Sequence, residues 1–206
     1  NESLKKENQE QADQIKELEK KMEEQEEAMK KLQEEVAKSN AVTLYQENSK
    51  LKVSFEYPLA LGEILMQPFE EFVPGSKERQ PTSALKLFFS TGNGDNKLFF
   101  VANNPNVKTS DRGGYWGDAS RGIKSEEDLK RYCTGKQNCT TFKNKAGYLV
   151  VKDMNYPCET GTTCQPTPLY IMFNPFSTFS SITISPMNVI NDMTLENFEK
   201  IIQSII

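Results

Sequence analysis

The chain contains no histidine. That absence removes the commonest general base and the commonest nitrogen ligand for metal ions. It also excludes Ser-His-Asp and Cys-His catalytic arrangements. Long hydrophobic runs are missing as well. The apolar stretches are short, such as "LFFV" at 98–101 and "YIMF" at 170–173, against the roughly 18–20 residues a membrane helix needs. Any membrane attachment is therefore expected through an anchor upstream of Asn1, a position that is not a start methionine. There is no P-loop, no G-x-S-x-G, no G-x-G-x-x-G after a strand and no EF-hand spacing. No cofactor, catalytic residue or metal ligand set is expected.

Excess charge of one sign is scarce. The net charge is −4, and all of it falls on residues 1–38, which hold 8 Lys/Arg and 12 Asp/Glu. Residues 39–206 hold 17 of each sign. Neither part has the basic surface of a general nucleic-acid binder, so no nucleic acid is expected as partner.

Residues 1–38 also lack Gly, Pro and every aromatic. What remains is almost all helix formers. Leu4, Asn8, Gln11, Ile15, Leu18, Met22, Gln25, Met29, Leu32 and Val36 follow in steps of four and three. This is a heptad seam with Asn8, Ile15, Met22, Met29 and Val36 at a positions. Asn8 suits a parallel two-stranded pairing, and Lys21 faces Glu26 favourably from g to e′. Three polar seam residues weaken such a coil. Two readings stand: a parallel homodimer through residues 1–38, or a solvated single helix acting as a charged linker. The domains are read as 1–40, the stalk, and 41–206.

Beyond Ser39 and Asn40 the composition turns to β-branched and aromatic residues. Strands are predicted near 42–46, 51–57, 62–66, 84–91, 97–103, 147–154, 168–174 and 181–186. "KLKVSFEYP" places Leu51, Val53, Phe55 and Tyr57 on one face. Gly92 to Asp95 reads as a hairpin tip. A short helix is predicted from Ser125 with Asp128 as a near capping box. A second, from Thr194, carries Leu195, Phe198, Ile201, Ile202 and Ile205 at helical spacing. The fold class is α+β, a mainly antiparallel sheet with its helices on one face.

Cysteine is sparse and paired. Cys133 and Cys139, and Cys158 and Cys164, form two C-x5-C loops. Zinc knuckles prefer C-x2-4-C and redox pairs C-x-x-C. Local disulfides fit better, Cys133–Cys139 and Cys158–Cys164, each contributing about 2 kcal/mol in the chain-entropy model. Crossed pairings of the same four cysteines stay open. Two disulfides imply an oxidising, extracytoplasmic location, in the cell envelope or secreted.

The opening strand "LYQENSKLKVSFEYP", the aromatic "LYIMFNPFSTFSSITIS" and the closing "TLENFEKIIQSI" carry a resemblance. Together with the charged stalk, they resemble small exported or lipid-anchored proteins of candidate-phylum bacteria, whose domain is similar in fold to the PsbP and Mog1 group. The resemblance implies a central antiparallel sheet flanked by helices, a membrane-tethered binding or accessory role, and no established activity.

Two acidic groups are candidates for carboxylate chemistry by residue type alone: Glu70–Glu71 in a presumed loop, and Glu126–Glu127–Asp128 at a helix start. They underlie the alternative reading, an envelope-polymer hydrolase with two carboxylates. A purely structural spacer is the third reading, and it predicts no concave pocket of ligand size. "SDRGGYWGDASRG" holds the single tryptophan. Asp111, Arg112, Tyr115 and Trp116 are read as a ligand or partner patch, against Trp116 folding back to plug the core. If they form a patch, replacing Tyr115 and Trp116 by Ala leaves the melting temperature nearly unchanged. A large drop favours the core plug.

Overall fold

The computed structural model describes residues 15–33, 41–72, 79–91, 94, 96–106, 119–120, 122–154, 167–189, 191 and 193–206, with the backbone alone for 69–72 and 79–83. The chain falls into two units, Asn1–Ala41 and Val42–Ile206.

In the first unit, residues 15–33 form one helix, α1. Ion pairs at i,i+4 spacing line it: Lys21–Glu17 at 2.6 Å, Lys31–Glu27 at 2.9 Å and Lys20–Glu24 at 3.9 Å. Glu17, Lys20, Glu24, Glu27 and Lys31 occupy c and f positions, off the seam. The seam residues Ile15, Leu18, Met22, Met29 and Leu32 are 55–61% exposed. Asn8 and Val36 lie outside the described residues.

The second unit is α+β, and its strands are antiparallel throughout. β1 (Val42–Glu47) and β2 (Val53–Pro58) form a separate two-stranded sheet. The main sheet has seven strands. They are β3 (Glu63–Phe72), β4 (Arg79–Ser90), β5 (Asn96–Asn103), β6 (Cys139–Lys143), β7 (Leu149–Asp153), β8 (Leu169–Phe173) and β9 (Ser181–Ile184). Their order is β3-β4-β5-β9-β8-β7-β6. Two helices complete the unit, α2 (Glu126–Tyr132) and α3 (Leu195–Ser204).

One face of the main sheet carries the larger core. Leu85, Leu87, Phe89, Phe100, Val150, Tyr170, Met172, Ile182 and Ile184 point into it. A bulge after Leu87 lets Phe99 and Phe100 both turn inward. The cover comes from the β1–β2 hairpin, through Leu51, Val53, Phe55 and Tyr57, and from α3, through Phe198, Ile201, Ile202 and Ile205. Aromatic rings join the layers: Phe89 stacks on Phe99 at 3.9 Å, and Phe55 lies 6.3 Å from Phe100.

The other face is smaller and more polar. Leu129 of α2 packs there with Ile123, Val151 and Ile171, while Ser181 and Thr183 are fully buried beside them in the sheet. The helices thus flank the sheet on opposite faces, not on one. Val150 and Val151 are neighbours in sequence and serve different cores, as strand alternation requires.

Further differences from the sequence reading concern the sheet edges. β6, "CTTFK", was not predicted as a strand. It is an edge strand with Thr140 and Thr141 exposed, so no apolar alternation marks it. β3 runs on to Phe72 through Pro68, placing Glu70 and Glu71 on a strand and not in a loop. β3 lies at the other edge, where a proline removes no interior ladder bond, and the register shifts between Pro68 and Glu70. Gly62, which precedes β3, has φ +81, and a Cβ there would lie 1.7 Å from the Ser90 carbonyl oxygen. Only glycine fits.

Side-chain amides close the joints between layers. Asn144 donates to the Ile202 and Ile205 carbonyls at 3.3 and 2.8 Å, satisfying the C-terminal end of α3. Asn174 donates to the Leu51 and Lys52 carbonyls at 2.9 and 3.2 Å, holding the tip of the β1–β2 hairpin. Ile206 and Ser54 exchange two backbone bonds, 3.0 and 2.9 Å, so the last residue extends β2's sheet.

At the hairpin tip the Glu47 carboxylate accepts from the Ser49, Lys50 and Leu51 amides. Burial pushes this carboxyl up, but the donors from Ser49, Leu51 and Lys50 outweigh it and hold it at about 2, against an ordinary 4.5. A depressed folded-state value means its stabilisation is present above pH 4.5 and is lost as the pH falls toward about 2. Glu47→Gln is therefore expected to be less stable than the parent in urea at neutral pH. The gap should close between pH 4.5 and about 2. A gap independent of pH contradicts the assignment.

Deletion of residues 194–206 removes Phe198, Ile201, Ile202 and Ile205, each no more than 3% exposed. At about 1.5–3 kcal/mol per buried side chain, the loss is on the order of 6–12 kcal/mol, comparable with a domain's whole stability. The truncated chain is expected to aggregate or stay unfolded. A soluble product with a cooperative melt refutes this.

Candidate functional site

A concavity lies where β7 begins and β8 ends. Two turns and one helix build it. The β6–β7 turn is closed by Asn144, whose Oδ1 accepts the Tyr148 amide at 2.9 Å, and by Gly147 at φ +90. The β8–β9 turn is closed by Asn174, whose Oδ1 accepts the Phe176 amide at 3.0 Å and whose backbone N–H donates to the Ser180 carbonyl at 2.8 Å. α2 supplies the third wall. Ser125 caps it through the Asp128 amide at 3.2 Å.

Together these elements enclose a cleft of about 420 Å³. Leu129, Leu149, Ala146, Gly147 and Pro175 belong to its lining. Tyr148, Phe173 and Phe176 are the aromatic residues of its lining, the Tyr148 side chain packing against the larger core on the α3 face, and Glu126 adds a carboxylate. Phe176 is 64% exposed. The volume falls within the range of small-molecule sites, roughly 300–1,000 Å³.

The acidic group at 126–128 divides by role. Glu126 lines the cleft. Glu127 accepts from Lys130 at 3.1 Å. Asp128 accepts from the Lys124 amide at 2.9 Å and the Ser125 hydroxyl at 2.9 Å, and these bonds, the Lys124 amide first, hold its carboxyl below the ordinary range. Glu126 is thus the one carboxylate among the described residues lining the cleft. A glycosidase-type hydrolase needs two, about 5–10 Å apart. The side chains of Glu70 and Glu71 lie outside the described residues. Among the described residues, no group of three His, Cys, Asp or Glu side chains is placed to hold a metal ion.

A second titratable cluster sits between α3 and the sheet. Lys152 and the Tyr170 hydroxyl both bond Glu199 Oε1, the tyrosine at 2.8 Å. Burial raises the Glu199 carboxyl, yet the bonds from Lys152 and Tyr170 prevail and leave it lowered. Burial, with the facing carboxylate, raises Tyr170. A carboxylate kept charged in this way is a poor general acid, and the cluster instead fixes α3 to β7 and β8.

The disulfide joins Cys133 and Cys139 across a Cα–Cα distance of 5.3 Å. Cys133 ends α2 and Cys139 opens β6. The loop turns at Gly135 and Asn138, both at positive φ. Inside it, Lys136 Nζ lies 3.3 Å from the Tyr132 ring centroid and 3.3 Å from Asp153 Oδ2. The bond therefore links the cleft's helix to the sheet edge. Cys158 and Cys164 lie outside the described residues, as do Asp111, Arg112, Tyr115 and Trp116.

The sequence reading did not single out Tyr148, Phe173 or Phe176. One signal was available: in "NPFST" an aromatic residue stands in a polar turn. No helix among the described residues is long and apolar enough to cross a membrane. No protein-family profile matches the chain, and no curated protein or solved structure does either.

Proposed function

We propose that this protein is an extracytoplasmic, membrane-tethered binding or accessory domain, displayed on a coiled-coil stalk and contacting its ligand in the cleft of Tyr148, Phe173 and Phe176. The observation that carries the reading is that cleft: about 420 Å³, lined mostly by apolar residues, with Phe176 exposed. A spacer has no use for a cavity of ligand size. The Cys133–Cys139 disulfide supports an oxidising location. The exposed stripe of Ile15, Leu18, Met22, Met29 and Leu32 supports parallel pairing through residues 1–38. An antiparallel sheet flanked by helices supports membership of the PsbP and Mog1 fold group.

An NMR screen of small aromatic and aliphatic fragments tests the binding reading. Hits are expected to shift the amides of Tyr148, Phe173 and Phe176. Phe176→Asp, at an exposed position, should abolish them without lowering the melting temperature. Hits that cluster elsewhere, or an empty screen, contradict the cleft as the binding site.

A further inference from the structure

Among the described residues, β1 pairs with β2 on one side and with no strand on the other. The bonds of β2 show which backbone groups face that open side. Ser54 exchanges bonds with Ile206, and the Glu56 N–H donates to the Ser204 hydroxyl at 2.9 Å, so both residues face away from β1. Bonded positions alternate along an antiparallel strand. β2 therefore meets β1 through Val53, Phe55 and Tyr57, which sit opposite Glu47, Tyr45 and Thr43. Val42, Leu44 and Gln46 direct their N–H and C=O groups to the open side. The side chains of these three residues are exposed as well, Val42 and Leu44 each by 61%.

Sheet edges are ordinarily guarded against pairing with other chains. β3 is guarded by Pro68 and a register shift. β6 carries Lys143 and has its first residue in a disulfide. β1, "VTLYQE", has no Pro, Gly, Lys or Arg and pairs with β2 without a bulge. Its one charge, Glu47, is engaged by the Ser49, Lys50 and Leu51 amides of the hairpin tip.

The strand is also complementary to itself. Two copies set antiparallel about Leu44 place Leu44 opposite the partner's Leu44 and Val42 opposite the partner's Gln46. Every open N–H and C=O of these residues then finds a partner. No like charges meet, because Glu47 falls opposite the partner's Ala41. Only positions 34–41 separate the described part of α1 from β1. Parallel stalks thus tether two β1 strands at high effective concentration. Two six-residue strands make a contact well below the roughly 1,000 Å² of a stable interface, so the contact depends on that tether.

We infer that β1 is a self-association edge, at which two chains join β1 to β1 in an antiparallel, four-stranded sheet of order β2-β1-β1-β2. The inference rests on the parallel-stalk reading and adds a second interface to it. Parallel stalks and antiparallel edge strands are both two-fold contacts, so a single dimer can hold both.

The test is NMR on an equal mixture of isotope-labelled and unlabelled full chain, with sedimentation to fix the oligomeric state. The expected result is a dimer with slowly exchanging Val42, Leu44 and Gln46 amide protons. An intermolecular NOE should join the α protons of Thr43 and the partner's Tyr45. Leu44→Lys, at an exposed position, sets like charges opposite each other. It should speed exchange at these amides by about fivefold or more while the stalk keeps the chain dimeric. Leu18→Lys with Met29→Lys, on the exposed seam, should give a monomer whose β1 amides exchange freely. A parent dimer with freely exchanging β1 amides overturns the inference, spares the stalk reading and leaves the edge to a foreign strand. A monomeric parent overturns both. Slow exchange that persists in a monomeric seam variant means the edge is covered within the chain, and also overturns the inference. Exchange unchanged in Leu44→Lys contradicts it too.

Discussion

The second unit depends on hiding one face of a seven-stranded sheet. That face is lined with aromatic and branched side chains, and no strand of the sheet itself can cover it. Two segments distant in sequence share the task, the β1–β2 hairpin and α3. Both bring buried backbone groups that must be bonded. Asn144 closes the end of α3, Asn174 closes the hairpin tip, and Ile206 pairs with Ser54 at their meeting line. Ile206 thus bonds β2, whose partner is β1, the first strand of this unit.

These joints also place the cleft. Asn144 and Asn174 each use one side-chain oxygen to shape a turn and the amide nitrogen to hold a cover element. The two turns are the ones that present Tyr148 and Phe176. The third wall is less secure by itself. α2 has seven residues, too short to persist alone in water. It holds through the Ser125 cap, the buried Leu129 and the disulfide from Cys133 to Cys139. The disulfide stands at the end of α2 away from Glu126, so it fixes the cleft's wall without occupying it.

Much of the fold was legible because its signals are local. Ser125 and Thr194 cap the helices that the sequence assigned to them. Leu51, Val53, Phe55 and Tyr57 are buried together, as their alternation requires. β6 was hidden because an edge strand can expose threonines on both faces and needs no apolar repeat. The far half of β3 was hidden by Pro68 and two glutamates, which only an edge position tolerates. The helices' opposite faces could not be read, because that depends on which side of the sheet each segment crosses. The cleft was illegible for a related reason: its lining comes from three segments, the start of α2, the turn before β7, and the end of β8 with its turn, and no periodicity links them. Only Phe176 had a local signal, an aromatic in a polar turn, and the sequence reading did not use it.

The Cys133–Cys139 bond that staples α2 and the extracytoplasmic role proposed above both require an oxidising compartment. Intact mass before and after reduction, with free thiols blocked first, tests it most directly. With four cysteines in the chain, the account predicts no thiol blocked at the start and a gain of four hydrogens on reduction. Four thiols blocked without any reductant would mean a reduced protein, and would contradict it.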